Sequence, residues 1–292
     1  MSLSSPLHAP FHADHCVQKT VPVSENTQIA RDTFRLRFES APIAESLVPG
    51  QFLMLRLSQL NDPLIGRPLA VFDVIEDHQQ QRRFVDVVYV AKGKFTRLLA
   101  LSPPGRNLDV WGPLGNGFST TACDHLIMVA GGIGFTPFLA VAREALGRSH
   151  FGEPIRHSGY ARRVTFCYGA RTEGYLVDTR EFTRLGVDVR VATDDGTRGH
   201  HGLVTDIARQ LLTDSTQRSR IVCCGPEPMM EAVSHLAEQF QVACEVSLET
   251  PMACGIGICF TCVAKVRVGE TGWDYKRTCV EGPVFDAHRI LW

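Results

Sequence analysis

Four cysteines near the C-terminus carry the strongest chemical signal in the sequence. Cys254, Cys259 and Cys262 form a Cys-x4-Cys-x2-Cys run, and Cys279 follows after a longer gap. Thiolate sulfur is a soft ligand suited to iron, and four thiolates complete two sulfide-bridged tetrahedral irons. Three ligands on one tight loop with a distant fourth is the plant-type [2Fe–2S] arrangement. Structural zinc normally draws its thiolates from two short Cys-x-x-Cys knuckles, and only Cys259–Cys262 makes one here. Gly255 and Gly257 lie inside the run, where a missing side chain lets backbone N–H groups approach the cluster sulfides. The spacing predicts a [2Fe–2S] cluster on these four cysteines.

A second group of residues suits flavin and phosphate. Arg67-Pro68-Leu69-Ala70 leads into the apolar Val71-Phe72. An arginine there can hold a diphosphate while the strand offers backbone groups to a flat ring. Val88-Tyr89-Val90 is expected on the neighbouring strand, with Tyr89 either stacked on a flavin or an ordinary barrel aromatic. Lys92-Gly93-Lys94-Phe95-Thr96 enters a short helix expected over 96–101, whose first amides, with Thr96, suit a pyrophosphate.

Gly131-Gly132-Ile133-Gly134-Phe135-Thr136-Pro137 follows an apolar strand and precedes a helix. That is the place of the first phosphate-binding turn in a nucleotide fold. Its spacing is not G-x-G-x-x-G, so dehydrogenase-type NAD binding does not follow from the glycines alone. Cys223-Cys224-Gly225-Pro226 ends a later strand, where an open α/β sheet exposes its binding edge. Cys224 is there either a nicotinamide contact or a buried, inert thiol. No side chain is assigned as a general acid or base.

The elements that must position these residues follow from the patterning. From Cys16 to about Val110, short β-rich runs such as TFRLRF and FVDVVYV are punctuated by turn residues, which predicts a small antiparallel barrel. Near residue 124 the pattern changes to strands alternating with helices, which predicts a doubly wound parallel sheet. Segment 148–161 is expected as an exposed excursion within it. The fold class is therefore multi-domain β plus α/β. Expected boundaries are a flexible leader at 1–15, a barrel at 16–119, an α/β domain at 120–243 and a small cysteine-rich domain at 244–292. Gly112–Phe118 either lines a cofactor cleft or merely links two domains.

Composition narrows the partners. Hydrophobic residues make up 44% and charged residues 21%, with a net charge of −1, so nothing draws the chain to nucleic acid or an anionic membrane. The apolar run from Leu126 to Ala142 is broken by Gly131, Gly132, Gly134 and Pro137, and a membrane helix needs roughly 20 apolar residues. The polar N-terminus lacks a secretory pattern, and His8, His12 and His15 are read as leader rather than metal site. A cytoplasmic location is expected, where the remaining six of ten cysteines stay reduced and serve mainly as small core residues.

Taken together, these segments resemble the ferredoxin–NADP reductase superfamily, and within it the electron-transfer subunit of NAD-dependent (type B) dihydroorotate dehydrogenase. The likeness spans about residues 17–292. It rests most on GPLGNGF at 112–118, CGPEPM at 224–229, MACGIGICFTC at 252–262 and GPVFDA at 282–287 ahead of Trp292. The resemblance implies a barrel for FAD, an α/β domain for NAD and a C-terminal [2Fe–2S] domain. It assigns FAD contacts to Arg67–Ala70, Val88–Val90 and the stretch ending at Phe95 and Thr96, and the cluster to the four cysteines. It further implies electrons passing from an FMN-containing dihydroorotate dehydrogenase catalytic subunit, in a heterotetramer, through the cluster and FAD to NAD+ in pyrimidine (UMP) biosynthesis. The chain departs from the family's commoner residues at Ala70, Val90 and Phe95, where Ser or Thr, Arg and Gly are usual. The flavin subunit of a sulfhydrogenase or of an NADH-dependent ferredoxin–NADP oxidoreductase shares the layout. A cluster-binding regulator would have no need of the glycine loops.

Overall fold

The computed structural model describes residues 16–214 and 217–292; the leader expected at 1–15 lies outside them. Strands β1 (Val17–Ala30), β2 (Thr33–Glu39), β3 (Phe52–Leu57), β4 (Arg67–Glu76), β5 (Arg82–Val90) and β6 (Asn107–Leu114) close an antiparallel barrel in the order β1-β2-β5-β4-β3-β6. Helices α1 (Ala41–Ser46) and α2 (Lys94–Ala100) accompany it. The two-residue period decides which side chains fill it. Leu36 and Phe38, Val85, Val87 and Tyr89, and Leu108 and Val110 all point inward and are buried. Residues of the opposite parity, Phe72 and Val88, pack outward against the next domain.

That domain is an open sheet. Strands β7 (Cys123–Gly131), β8 (Ala161–Ala170), β9 (Asp188–Thr193), β10 (His200–His201), β11 (Ser219–Cys224) and β12 (Ala243–Ser247) are parallel, in the order β10-β9-β8-β7-β11-β12. Alternate residues of β7 feed two cores. Leu126, Met128 and Ala130 face α3 (Phe138–Ala145) and α4 (Arg180–Arg184), whereas Ile127 and Val129 face α5 (Val204–Thr213) and α6 (Glu227–Gln239). Cys167, Cys223 and Cys244 are buried in the second core, and burial pushes all three thiols well above their ordinary range. They act as small apolar residues.

The C-terminal segment carries the hairpin β13 (Val263–Val268) and β14 (Gly272–Arg277), then β15 (Val284–Asp286). Here the structure corrects the expected boundary at 243/244. Cys244–Ser247 belong to β12, a full member of the parallel sheet, and β15 returns to pair antiparallel with that strand. The periodicity of a five-residue strand leading into a cysteine-rich loop was too short to separate from the loop. Segment 148–161 is a second correction. Phe151 reaches into the barrel core, Tyr160 is buried, and Arg156 pairs at 2.6 Å with the fully buried Glu144. Arg82 of the barrel lies over the Phe151 ring and donates to the His150 carbonyl. The excursion is therefore a strut between domains, held by its buried aromatics and the Arg156 pair.

An ion pair also crosses the interface with the barrel. Asp73 on β4 is 0% exposed and lies 3.0 Å from Arg143 on α3, yet neither of its carboxylate oxygens has an aligned hydrogen-bond donor. Burial, opposed chiefly by Arg143, raises its pKa to about 7. Because the folded carboxyl is the weaker acid, its contribution to stability is complete below pH 4 and is lost as pH rises toward 7. Asp73→Asn should therefore gain stability relative to wild type as pH rises from 4 to 7.5, by on the order of 4 kcal/mol at most. Melting temperatures of the two proteins across that range check this; a constant gap would mean that Asp73 does not titrate there.

Candidate functional site

The cluster cysteines converge as two pairs. Cys254 neighbours Cys259, and Cys279 neighbours Cys262 within one small buried cluster. The Thr261 hydroxyl donates to the Cys259 sulfur at 3.2 Å and, with Cys254, holds that thiol down to about 6. Cys279 holds Cys262 down to about 6, while Cys262 and burial push Cys279 up. The Cys254 charge raises Cys279 further, opposed by the Gly257 backbone. Two irons each taking two thiolates need such a pairwise donor set. Four soft thiol donors in two pairs are the ligand set that a [2Fe–2S] cluster takes.

Local structure holds this arrangement. Gly257 has φ +82, a conformation disfavoured for side chains. Thr278, next to Cys279, ties down Cys262: its N–H and hydroxyl both donate to the Cys262 carbonyl, at 2.7 and 3.1 Å. The loop also rests on the barrel. The Trp111 indole N–H donates to the Cys254 carbonyl at 3.0 Å, and the same ring lies against Gly66, beside Arg67. Trp111 thus bridges the cluster loop and the strand expected to hold flavin. It carries no sequence signal, since a lone tryptophan on a strand is ordinary.

The residues expected at the flavin divide into two sets. Antiparallel pairing places the start of β4 and the end of β5 at one barrel rim. Arg67 is exposed there and donates to the backbone carbonyls of Ile65 and Gly66. Lys92, Gly93, Lys94 and Arg97 line a neighbouring hollow, with Lys94 paired to Asp62. This cationic rim fits a dinucleotide diphosphate. Pro68, Leu69, Ala70 and Val90 are partly accessible.

The other expected contacts are turned away. The Tyr89 ring is 1% exposed inside the barrel, stacked on Phe34 at 5.7 Å, with its hydroxyl donating to Asn26. Strand parity directs it inward, so Tyr89 cannot stack on a flavin, which corrects that expectation. Asn26 in turn donates to the Leu99 and Ser102 carbonyls, so the tyrosine steadies the end of α2. Phe95 and Val88 are likewise buried, leaving only their backbones to offer. The Thr96 hydroxyl accepts from the N–H groups of Lys92 and Gly93 at 3.1 and 3.0 Å. It shapes the phosphate turn instead of presenting a free donor.

The nucleotide turn lies at the reversal of strand order. From β7 the chain moves outward through β8, β9 and β10, then returns to β11 on the other side of β7. The crevice beyond the carboxyl ends of β7 and β11 is where open α/β sheets bind ligands. Gly131 ends β7 and Gly132–Phe135 forms a 3-10 turn over that crevice. A Cβ on Gly134 would stand 2.1 Å from the Cys224 carbonyl oxygen, and one on Gly131 would meet Pro226 and Met229 at 2.7 Å. Gly132 stays open, with φ +53 and no heavy atom near a Cβ. The two turns therefore pack backbone to backbone and leave amides at the rim. Cys224 keeps partial accessibility, but burial and then the Glu249 charge push its thiol up to about 12. It is a neutral wall residue, not a nucleophile. Phe72 on β4 meets Phe135 edge-on at 5.9 Å, joining the flavin strand to the nucleotide turn.

A barrel rim shaped for a flavin diphosphate, a switch-point crevice for a nucleotide and a paired four-thiol loop define an electron-transfer oxidoreductase of the ferredoxin-reductase type. Family models agree: "Oxidoreductase FAD-binding domain" matches residues 20–118, "Oxidoreductase NAD-binding domain" residues 128–235, and "Iron-sulfur cluster binding domain of dihydroorotate dehydrogenase B" residues 249–291. The dihydroorotate dehydrogenase B (NAD(+)) electron transfer subunit of Bacillus caldolyticus is 35% identical over 280 residues, covering 94% of this chain and 98% of that protein. The corresponding subunit of Desulforamulus reducens is 31% identical over 266 residues, covering 90% and 94%. The solved NADH-dependent reduced ferredoxin-NADP oxidoreductase superposes with a TM-score of 0.77 at 29% identity, over 93% of this chain and 90% of that one. Phthalate dioxygenase reductase, at 18% identity and a TM-score of 0.58 over 87% and 88%, shares the fold. The chain belongs to the family of dihydroorotate dehydrogenase B electron transfer subunits.

The packing of the two turns is testable. Gly134→Ala should force them apart, cost about 1–3 kcal/mol of overpacking and weaken NADH binding roughly tenfold, with flavin and iron content unchanged. Fluorescence titration with NADH measures this; unaltered binding would remove Gly134 from the nucleotide crevice.

Proposed function

We propose that this chain carries electrons from a partner subunit that oxidises dihydroorotate, through a [2Fe–2S] cluster and FAD, to NAD+ in pyrimidine biosynthesis. The observation that carries it is the pairwise convergence of Cys254, Cys259, Cys262 and Cys279 on a loop bonded to the flavin barrel through Trp111. When bound, a cluster handles single electrons, a nicotinamide a hydride, and a flavin both, which makes the flavin the necessary intermediary.

The chain's residues contribute position and charge. Arg67 and the Lys92–Thr96 turn hold the flavin diphosphate, while Pro68, Leu69, Ala70 and the backbone of Val88–Val90 border its ring. Gly131, Gly132 and Gly134 present amides to the nucleotide phosphates, and Cys224 forms an unreactive wall beside the nicotinamide. The FAD unit covers residues 16–119, the nucleotide unit runs from 120 through β12, and the remainder serves the cluster. An aromatic-rich core on one face of the sheet and an aliphatic one on the other keep bulk water from the interior of the nucleotide unit.

An FMN-containing catalytic subunit in a heterotetramer is the partner. Ile258 and Phe260, on the cluster loop, are 72% and 62% exposed, and large exposed apolar side chains at a redox loop suit a docking surface. Among the described residues no helix is long and apolar enough to cross a membrane, and function in the cytoplasm accords with ten unbridged cysteines.

Mixing the purified chain with a dihydroorotate dehydrogenase B catalytic subunit should give dihydroorotate-dependent NAD+ reduction, followed at the NADH absorption band. Cys262→Ser should lower that rate at least a hundredfold while NADH-driven reduction of a flavin-accepting dye falls less than threefold. Full dihydroorotate turnover in the serine variant would exclude the cluster from the route.

A further inference from the structure

Arg277 stands two residues before Cys279 and reaches both halves of the three-cysteine loop. Its Nη1 donates to the Gly257 carbonyl at 2.9 Å, between Cys254 and Cys259. Its guanidinium carbon lies 4.9 Å from the centroid of the Phe260 ring, between Cys259 and Cys262. Both contacted residues need holding. Gly257 has φ +82, and Phe260 has φ +55, an uncommon conformation for a bulky side chain. Phe260 is also 62% exposed, so core packing does not hold its ring. A cation stacked on its face does.

The arginine is itself fixed. Glu281 accepts from the Arg277 backbone N–H at 2.9 Å and lies 3.5 Å from its Nε, while Lys276 approaches the other oxygen of Glu281 at 3.5 Å. This leaves Nη1 for Gly257. Gly257 in turn packs against Val280, directly after Cys279, which a Cβ there would meet at 3.1 Å. Arg277, Gly257 and Val280 thus bracket the place where the fourth ligand meets the loop.

We propose that Arg277 is a positioning residue that latches the cluster loop to the Cys279 segment, and that its fixed positive charge sets the ease of reducing the cluster. This rests on the cluster assignment above. The physical reason is direct: reduction adds one negative charge to the centre, and a nearby permanent cation, 22% exposed in its side chain, favours the reduced form. Lysine keeps the charge but has neither the planar fork nor the stacking face. The two substitutions therefore separate charge from geometry.

The test is an EPR-monitored redox titration of the intact chain, with cluster loss to a chelator followed by absorbance, on wild type, R277K and R277Q. R277Q should be about tenfold harder to reduce, a downward midpoint shift of about 59 mV, with the R277K midpoint staying close to wild type. Both variants should lose the cluster faster than wild type, R277Q by roughly tenfold. Phe260→Ala, at an exposed position, should speed cluster loss without moving the midpoint, and it reads the latch even if R277Q retains no cluster. Unchanged midpoint and release in R277Q, or unchanged release in F260A, would overturn the role of Arg277 while leaving the cluster in place. A wild-type chain with no [2Fe–2S] absorption or EPR signal would instead overturn the cluster assignment and this inference with it.

Discussion

The Asn116 side chain makes a reciprocal pair of bonds with one residue of the C-terminal tail, donating to the Val284 carbonyl at 2.8 Å and accepting from its N–H at 2.9 Å. The Asn116 backbone N–H adds a bond to Gly282 at 2.6 Å. On the same turn, Gln51 of the barrel donates to Gly115 at 2.7 Å. Three units are joined here: the barrel, the segment leaving it, and the tail that returns to the α/β sheet as β15. Electron transfer between bound centres needs fixed, short separations, and a flexible linker supplies neither. The Gly112–Phe118 turn is therefore a structural knot, which resolves its two readings in favour of neither a passive linker nor a bare cofactor wall.

The rest of the architecture repeats that logic of tying units together through buried polar bonds. Arg143 on α3 meets Asp73 inside the barrel wall, and Arg35 on β2 reaches both the buried Asp86 and Glu181 of α4. Within the α/β domain, Arg156 of the excursion is held to the buried Glu144 of α3. Buried ion pairs contribute less net stability than apolar packing of equal volume, but breaking one partner is costly. Pairs between domains penalise any displacement of one domain against another. The aromatic contact between Phe72 and Phe135 lies among them, so the flavin rim and the nucleotide turn share one rigid boundary.

Redox tuning is a local matter on this frame. The loop around the cysteines is exposed at Ile258 and Phe260, while Cys262 and Cys279 are buried beneath it. One side of the loop thus faces outward, while the buried cysteines pack on Met54 and Leu114 of the barrel.

Some of this was legible in the order of residues alone. The cysteine spacing specified the cluster because ligand number and loop reach are local properties, and the change from a two-residue to a helical period near residue 124 separated barrel from α/β sheet. The glycines at 131–134 declared their turn because an apolar strand and a helix flank them. Tertiary structure decided what depends on distant partners. Strand parity turned Tyr89 into the barrel and left Arg67 at the rim. Sheet pairing gave Cys244–Ser247 to the nucleotide domain. Only the fold brought Trp111, Asn116 and Arg277 to the places where units meet, because a residue 143 positions away from its hydrogen-bond partner leaves no periodic or spacing signature in the chain.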